Sequence, residues 1–122
     1  MYHAIVVDQS FIDPSKIRSF RVFAIKHDGT WKIYCVEIDD RHVDDVIEQI
    51  QENMKPNEPW YAHAYNDEEL IVIFKNKVFT IASDPTTWQP AIEYGLELNI
   101  PKEQLNFSPV TFQNEKQYFE NN

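Results

Sequence analysis

The chain has 122 residues, 43% hydrophobic and 14% aromatic, and its 20 acidic against 11 basic residues give a net charge of −9. That length fits one domain, residues 1–122, with a core that needs no metal or disulfide staple, and the acidic balance opposes direct binding to nucleic acid or to an anionic membrane. Cys35 alone allows no intramolecular disulfide, and two distant glycines, Gly29 and Gly95, exclude a P-loop and a dinucleotide fingerprint.

The first apolar run, Ile5–Val7, stops at Asp8, too short for a signal peptide, and no stretch reaches the length of a membrane span, so the expected location is cytoplasmic. His3–Val7 reads as a first strand, followed by a loop through Asp13-Pro14. Phe20–His27 and Trp31–Ile38 flank Asp28-Gly29, a strong signal for a type I′ hairpin. Pairing about that turn sets Ala24 opposite Ile33 and Val22 opposite Cys35, with Phe23 and Tyr34 meeting on the other face. Apolar residues on both faces place this hairpin centrally in the sheet.

His42–Met54 reads as an amphipathic helix. Val43, Val46, Ile47, Ile50 and Met54 form its apolar stripe, and Asp40, Asp44, Glu48 and Glu52 recur four apart on the opposite side. Like charges at that spacing repel by about 0.2–0.5 kcal/mol per pair, so helix stability does not explain the acidic stripe. Asp39 or Asp40 is the expected N-cap, and Lys55-Pro56 ends the helix. Trp60–Tyr65 alternates, with Trp60, Ala62 and Ala64 on one face and Tyr61, His63 and Tyr65 on the other. Leu70–Phe74 reads as a buried strand, and Lys75-Asn76-Lys77 as a tight turn into Val78–Ala82.

A second helix places Trp88, Ala91, Ile92, Gly95 and Leu96 on one face, with Thr87 as N-cap, Pro90 in the first turn and Asn99 closing it before Ile100-Pro101. Gly95 in that face implies a close approach to the sheet. Leu105–Phe112 reads as a final extended segment, and residues 115–122 as a loose tail. The expected fold is α+β: a mainly antiparallel sheet with two amphipathic helices packed on one face, loosely split-βαβ (ferredoxin-like) with extra N-terminal strands.

The run Trp60-Tyr61-Ala62-His63-Ala64-Tyr65-Asn66-Asp67-Glu68-Glu69-Leu70-Ile71-Val72-Ile73-Phe74, with Thr87-Trp88-Gln89-Pro90, Tyr94-Gly95 and Ile100-Pro101-Lys102-Glu103-Gln104-Leu105, resembles a group of small uncharacterised bacterial single-domain proteins with no established function. The resemblance implies a bacterial, cytoplasmic, single-domain protein and no catalytic residue.

Candidate chemistry gathers on Tyr61, His63 and Tyr65, with Asp67 and Glu68 in the following turn. A histidine beside a carboxylate can act as a general base, yet a half-exposed strand ending in a polar turn has the same composition. Trp60, Tyr61, His63, Tyr65 and Asp67 are therefore the candidate ligand-binding set. Trp88, on the apolar helix face, belongs with the core.

Asp40, Asp44, Glu48 and Glu52 are the candidate partner-binding set, against the plainer reading of a solvated helix face. His3, His27, His42 and His63 lack metal-ligand spacing, so no metal and no cofactor is expected. Cys35, between Tyr34 and Val36, reads as inert core, and Ser10, Ser15, Ser19, Ser83 and Ser108 occur in no nucleophile elbow. The leading expectation is a small cytoplasmic protein- or ligand-binding domain without catalytic machinery, with a homodimer left open. The alternatives are a small enzyme or metabolite-binding protein using the His63 face and, more remotely, an acidic inhibitor that mimics nucleic acid.

Overall fold

The computed structural model describes residues 1–82 and 84–105. Its strands are β1 (Tyr2–Val7), β2 (Arg21–Asp28), β3 (Trp31–Ile38), β4 (Ala62–Tyr65), β5 (Leu70–Phe74) and β6 (Lys77–Ile81), and its helices are α1 (Val43–Asn53) and α2 (Gln89–Glu97). The strands form one six-stranded sheet in the order β2-β3-β1-β4-β5-β6, each pair antiparallel. The protein is thus α+β with an antiparallel sheet, as expected. Because β3 and β4 both run antiparallel to β1, they are parallel to one another with β1 between them, and α1 connects them. That is the split βαβ arrangement. No helix among the described residues is long and apolar enough to cross a membrane.

The sheet carries a core on each side. Ala4, Val6, Tyr34, Val36, Ala62, Ala64, Ile71 and Ile73 face α1 and pack with Ile47, Ile50 and Met54. Ile5, Ile33, Cys35, Tyr65, Leu70, Val72 and Phe74 face the other way and pack with Ala91, Ile100 and Leu105. The two helices therefore lie on opposite faces, which corrects the expectation of a shared face. The all-buried run Leu70–Phe74 accounts for this: alternate side chains of a strand point to opposite faces, so a strand apolar throughout needs cover on both.

The hairpin also differs from its expected form. Asp28 pairs with Trp31, so the turn residues are Gly29 and Thr30; Gly29 has φ 60 and Thr30 keeps a negative φ. This is the II′ pattern rather than I′. The register moves with the turn: Ala24 faces Cys35 and Ile25 faces Tyr34, while Val22 reaches Val36 through a bulge at Phe23. Phe23 turns onto the His3 side, ring centroids 4.4 Å apart, away from Tyr34. β2 is an edge strand, with Phe23 and Ile25 exposed, and not the centre of the sheet. A bulge at an edge breaks the regular row of unpaired backbone groups that would template further pairing.

The N-cap of α1 is His42, not Asp39 or Asp40, because a short 3-10 turn, Asp40–His42, precedes the helix and Asp39 caps that turn instead; the Asp39 carboxylate accepts from the Arg41 backbone N–H at 3.0 Å and from Arg41 Nε at 3.2 Å. Those bonds hold the Asp39 carboxyl at a pKa of about 2. At the far end Lys75 Nζ donates to the Gln51 carbonyl at 2.7 Å and Gln51 Nε2 to the Phe74 carbonyl at 2.9 Å, tying the helix terminus to the β5–β6 turn.

Trp88, not Thr87, is the N-cap of α2; Thr87 ends a 3-10 turn (Pro85–Thr87) and its hydroxyl donates to the Asp84 carbonyl at 2.7 Å. The helix closes as expected, in a Schellman motif. Asn99 has φ 65, its N–H donates to Leu96 O at 3.0 Å, and Ile100 N–H donates to Gly95 O at 3.1 Å. The close approach at Gly95 is to Leu105 rather than to the sheet, since a Cβ there would lie 2.5 Å from Leu105 Cδ2. Leu105 ends a 3-10 turn, Lys102–Leu105; the rest of the extended segment expected over 105–112, and the tail after it, lie outside the described residues.

Candidate functional site

On the α2 face His63 stands mid-sheet, opposite Ile5 of β1 and Val72 of β5. Beyond one end of α2 the described residues leave this face open. A cleft of about 870 Å³ lies there, with Ile5, Val7 and Ile33 as its floor and Trp31, Trp60, Tyr61 and His63 among its lining residues. Four separate pieces of chain shape it: β1, the β2–β3 turn, the approach to β4, and the segment after α2 that contributes Asn99, Pro101, Glu103 and Gln104. A volume of this order accommodates a small organic molecule.

The walls are held by specific contacts. The Trp31 and Trp60 rings are 5.4 Å apart and tilted by 58°. The Trp60 indole N–H donates to Glu58 Oε1 at 3.1 Å, and the Tyr61 hydroxyl donates to the Gln104 carbonyl, clipping the segment after α2 to the start of β4. Tyr61 also packs on Phe74, which meets Tyr94 of α2 at 4.8 Å. Gln9 Nε2 donates to the Thr30 carbonyl at 2.9 Å and steadies the hairpin tip.

His63 is unusual among these groups. The residue as a whole is partly exposed, but its Nε2 has essentially no accessible surface and no hydrogen-bond partner among the described residues. Between Ile5 and Val72 a charged ring would be poorly solvated, and burial pushes the imidazole pKa down to about 4. The ring is therefore neutral near pH 7, and so weakly basic a group suits hydrogen bonding better than proton abstraction.

Of the residues singled out from sequence, the cleft brings together Trp60, Tyr61 and His63. Tyr65 shares the face of Tyr61 and His63 but is fully buried, with its hydroxyl 3.6 Å from Cys35 Sγ, and does not line the cleft, whereas Trp60 reaches the cleft while packing against the α1-side core. Asp67 and Glu68 lie in the exposed β4–β5 turn, beyond the opposite end of β4 from Tyr61, and line no part of the cleft. Trp88 packs with the second core, its indole N–H donating to the Ala82 carbonyl at 2.7 Å. Cys35 is buried. Trp31, Asp28, Asn99 and Gln104 were not legible as site residues; the one local signal was the left-handed Asn99 at a helix end.

Asp44, Glu48 and Glu52 are exposed along α1 and Asp40 is exposed in the 3-10 turn before it, all on the other side of the sheet from the cleft. A second concavity of about 640 Å³ opens at the start of α1, but only Asp40 of the four lines it. Its Glu37 is already paired with Arg21 at 3.1 Å. No group of three or more potential ligand residues among the described residues is placed to hold a metal ion. The chain matches no protein-family model, no curated protein and no solved structure.

Proposed function

We propose that this protein is a small-molecule-binding domain whose site is the His63 cleft. The observation that carries the reading is the cleft itself: a concave space of about 870 Å³ with an apolar floor, aromatic walls and a neutral imidazole. Apolar area supplies affinity in such a site, and a few polar groups set orientation. Gln9, Asp28, Glu58, Asn99, Glu103 and Gln104 line the cleft with polar side chains available for that task, while Nε2 of His63 is sealed from solvent. No proton-transfer role is assigned to His63, because its depressed pKa makes it a poor base near neutrality.

The test is a thermal-shift screen of the purified protein against metabolites, nucleotides and amines, repeated with Trp60→Ala. A ligand at about 100 times its Kd stabilises by about 2.7 kcal/mol, several degrees in Tm for a domain of this size. A reproducible shift that Trp60→Ala abolishes supports the reading. A clean negative overturns it and turns attention to the exposed acidic face of α1 as a protein-binding surface.

A further inference from the structure

We infer that the ligand is an organic cation: an ammonium or guanidinium group joined to an apolar or aromatic body. This rests on the cleft being a ligand site, and concerns what that site selects.

The charged side chains that line the cleft are Asp28, Glu58 and Glu103, and no lysine or arginine lines it among the described residues. An anion entering would leave water for a site with three carboxylates and no counter-charge among the described residues. A cation meets the opposite field, reinforced at long range by the net charge of −9. The aromatic walls act in the same sense. Indole faces attract cations through the ring quadrupole, and the Trp31 and Trp60 rings, 5.4 Å apart, stand together at this opening. The Trp60 N–H is already given to Glu58 Oε1 at 3.1 Å, which makes the indole more electron-rich and holds a carboxylate beside it. The neutral His63 adds no opposing charge. Ile5, Val7 and Ile33 beneath these groups offer a hydrocarbon surface, so a bare inorganic cation would leave much of the cleft unfilled.

The experiment compares three probes of nearly one size and shape: phenethylamine, 2-phenylethanol and phenylacetate. Each is titrated at pH 7.5 with tryptophan fluorescence and thermal shift as readouts. The amine should bind saturably, at least tenfold tighter than the alcohol, with the acid weakest. Asp28→Asn and Glu58→Gln should each lower amine affinity severalfold while leaving the alcohol unchanged, and raised salt should weaken the amine alone. Equal affinity for amine and alcohol, or tightest binding of the acid, overturns the cation assignment while leaving the cleft a ligand site. No saturable response to any of the three also overturns it; the broader metabolite screen then decides separately whether the cleft binds other chemistry.

Discussion

His63 joins the fold and the candidate site in one side chain. Its neighbours across the sheet, Ile5 and Val72, desolvate the ring, and its Nε2 is sealed without a partner among the described residues. The folded-state pKa of about 4 lies below the ordinary value of 6.5. Between those two values the unfolded chain binds more protons than the folded one, so the neutral histidine's contribution is fully present above about pH 6.5 and is lost as pH falls towards 4. The whole effect is at most about 3 kcal/mol, and less to the extent that water reaches the partly exposed ring. His63→Leu should therefore flatten this part of the pH–stability curve, read as urea midpoints at pH 7 and pH 5. At pH 7 the leucine variant should be as stable as the parent or up to about 1 kcal/mol more so, because an unsatisfied buried polar atom is removed. Parallel pH curves for the two proteins would mean that the ring is solvated and that its pKa is ordinary.

At the scale of single elements, local pattern was a good guide wherever local chemistry decides the outcome. The apolar stripe of α1, the all-buried β5 and the Asn99 closure of α2 each appear as read. Two consequences can be measured. Glu48 has Asp44 and Glu52 one turn away on either side, so Glu48→Lys turns two repulsions into two attractions and should stabilise the fold by about 1 kcal/mol at low salt, less at high salt. An unchanged urea midpoint would show that α1 surface charge has no energetic effect. Asn99 occupies the left-handed region at φ 65, where Asn99→Gly should be tolerated within a few tenths of a kcal/mol and Asn99→Ala should cost about 1 kcal/mol. The hairpin was misread because an Asp-Gly pair fits two turn types whose registers differ, and the bulge at Phe23 leaves no mark in the alternation. The cleft was only half legible. Trp60, Tyr61 and His63 are near in sequence, but Trp31 and Asn99 reach them through strand order and the chain reversal after α2, which no local spacing encodes.

The molecule as a whole is one sheet with two cores, and its inner strands β3, β1, β4 and β5 contribute side chains to both. That sharing was implicit in the sequence, since runs apolar on both faces call for cover on both, but periodicity does not say which helix covers which face. It has a mechanical consequence: neither helix can lose its support while the other keeps a formed sheet beneath it, so the two faces should unfold together. Ile50, fully buried under α1, has no part in the core beneath α2. Ile50→Ala should cost about 2–5 kcal/mol through lost burial and the cavity left behind. In a Trp60→Phe background the two remaining tryptophans, Trp31 and Trp88, both pack against the α2-side core, so their fluorescence reports on the face opposite the cut. The fluorescence midpoint in urea should then fall by the same amount as the midpoint followed by far-ultraviolet circular dichroism. A fluorescence transition that stays in place while the dichroism transition moves would show that the two faces fold separately, and that the cleft beside Trp31 is insulated from events under α1.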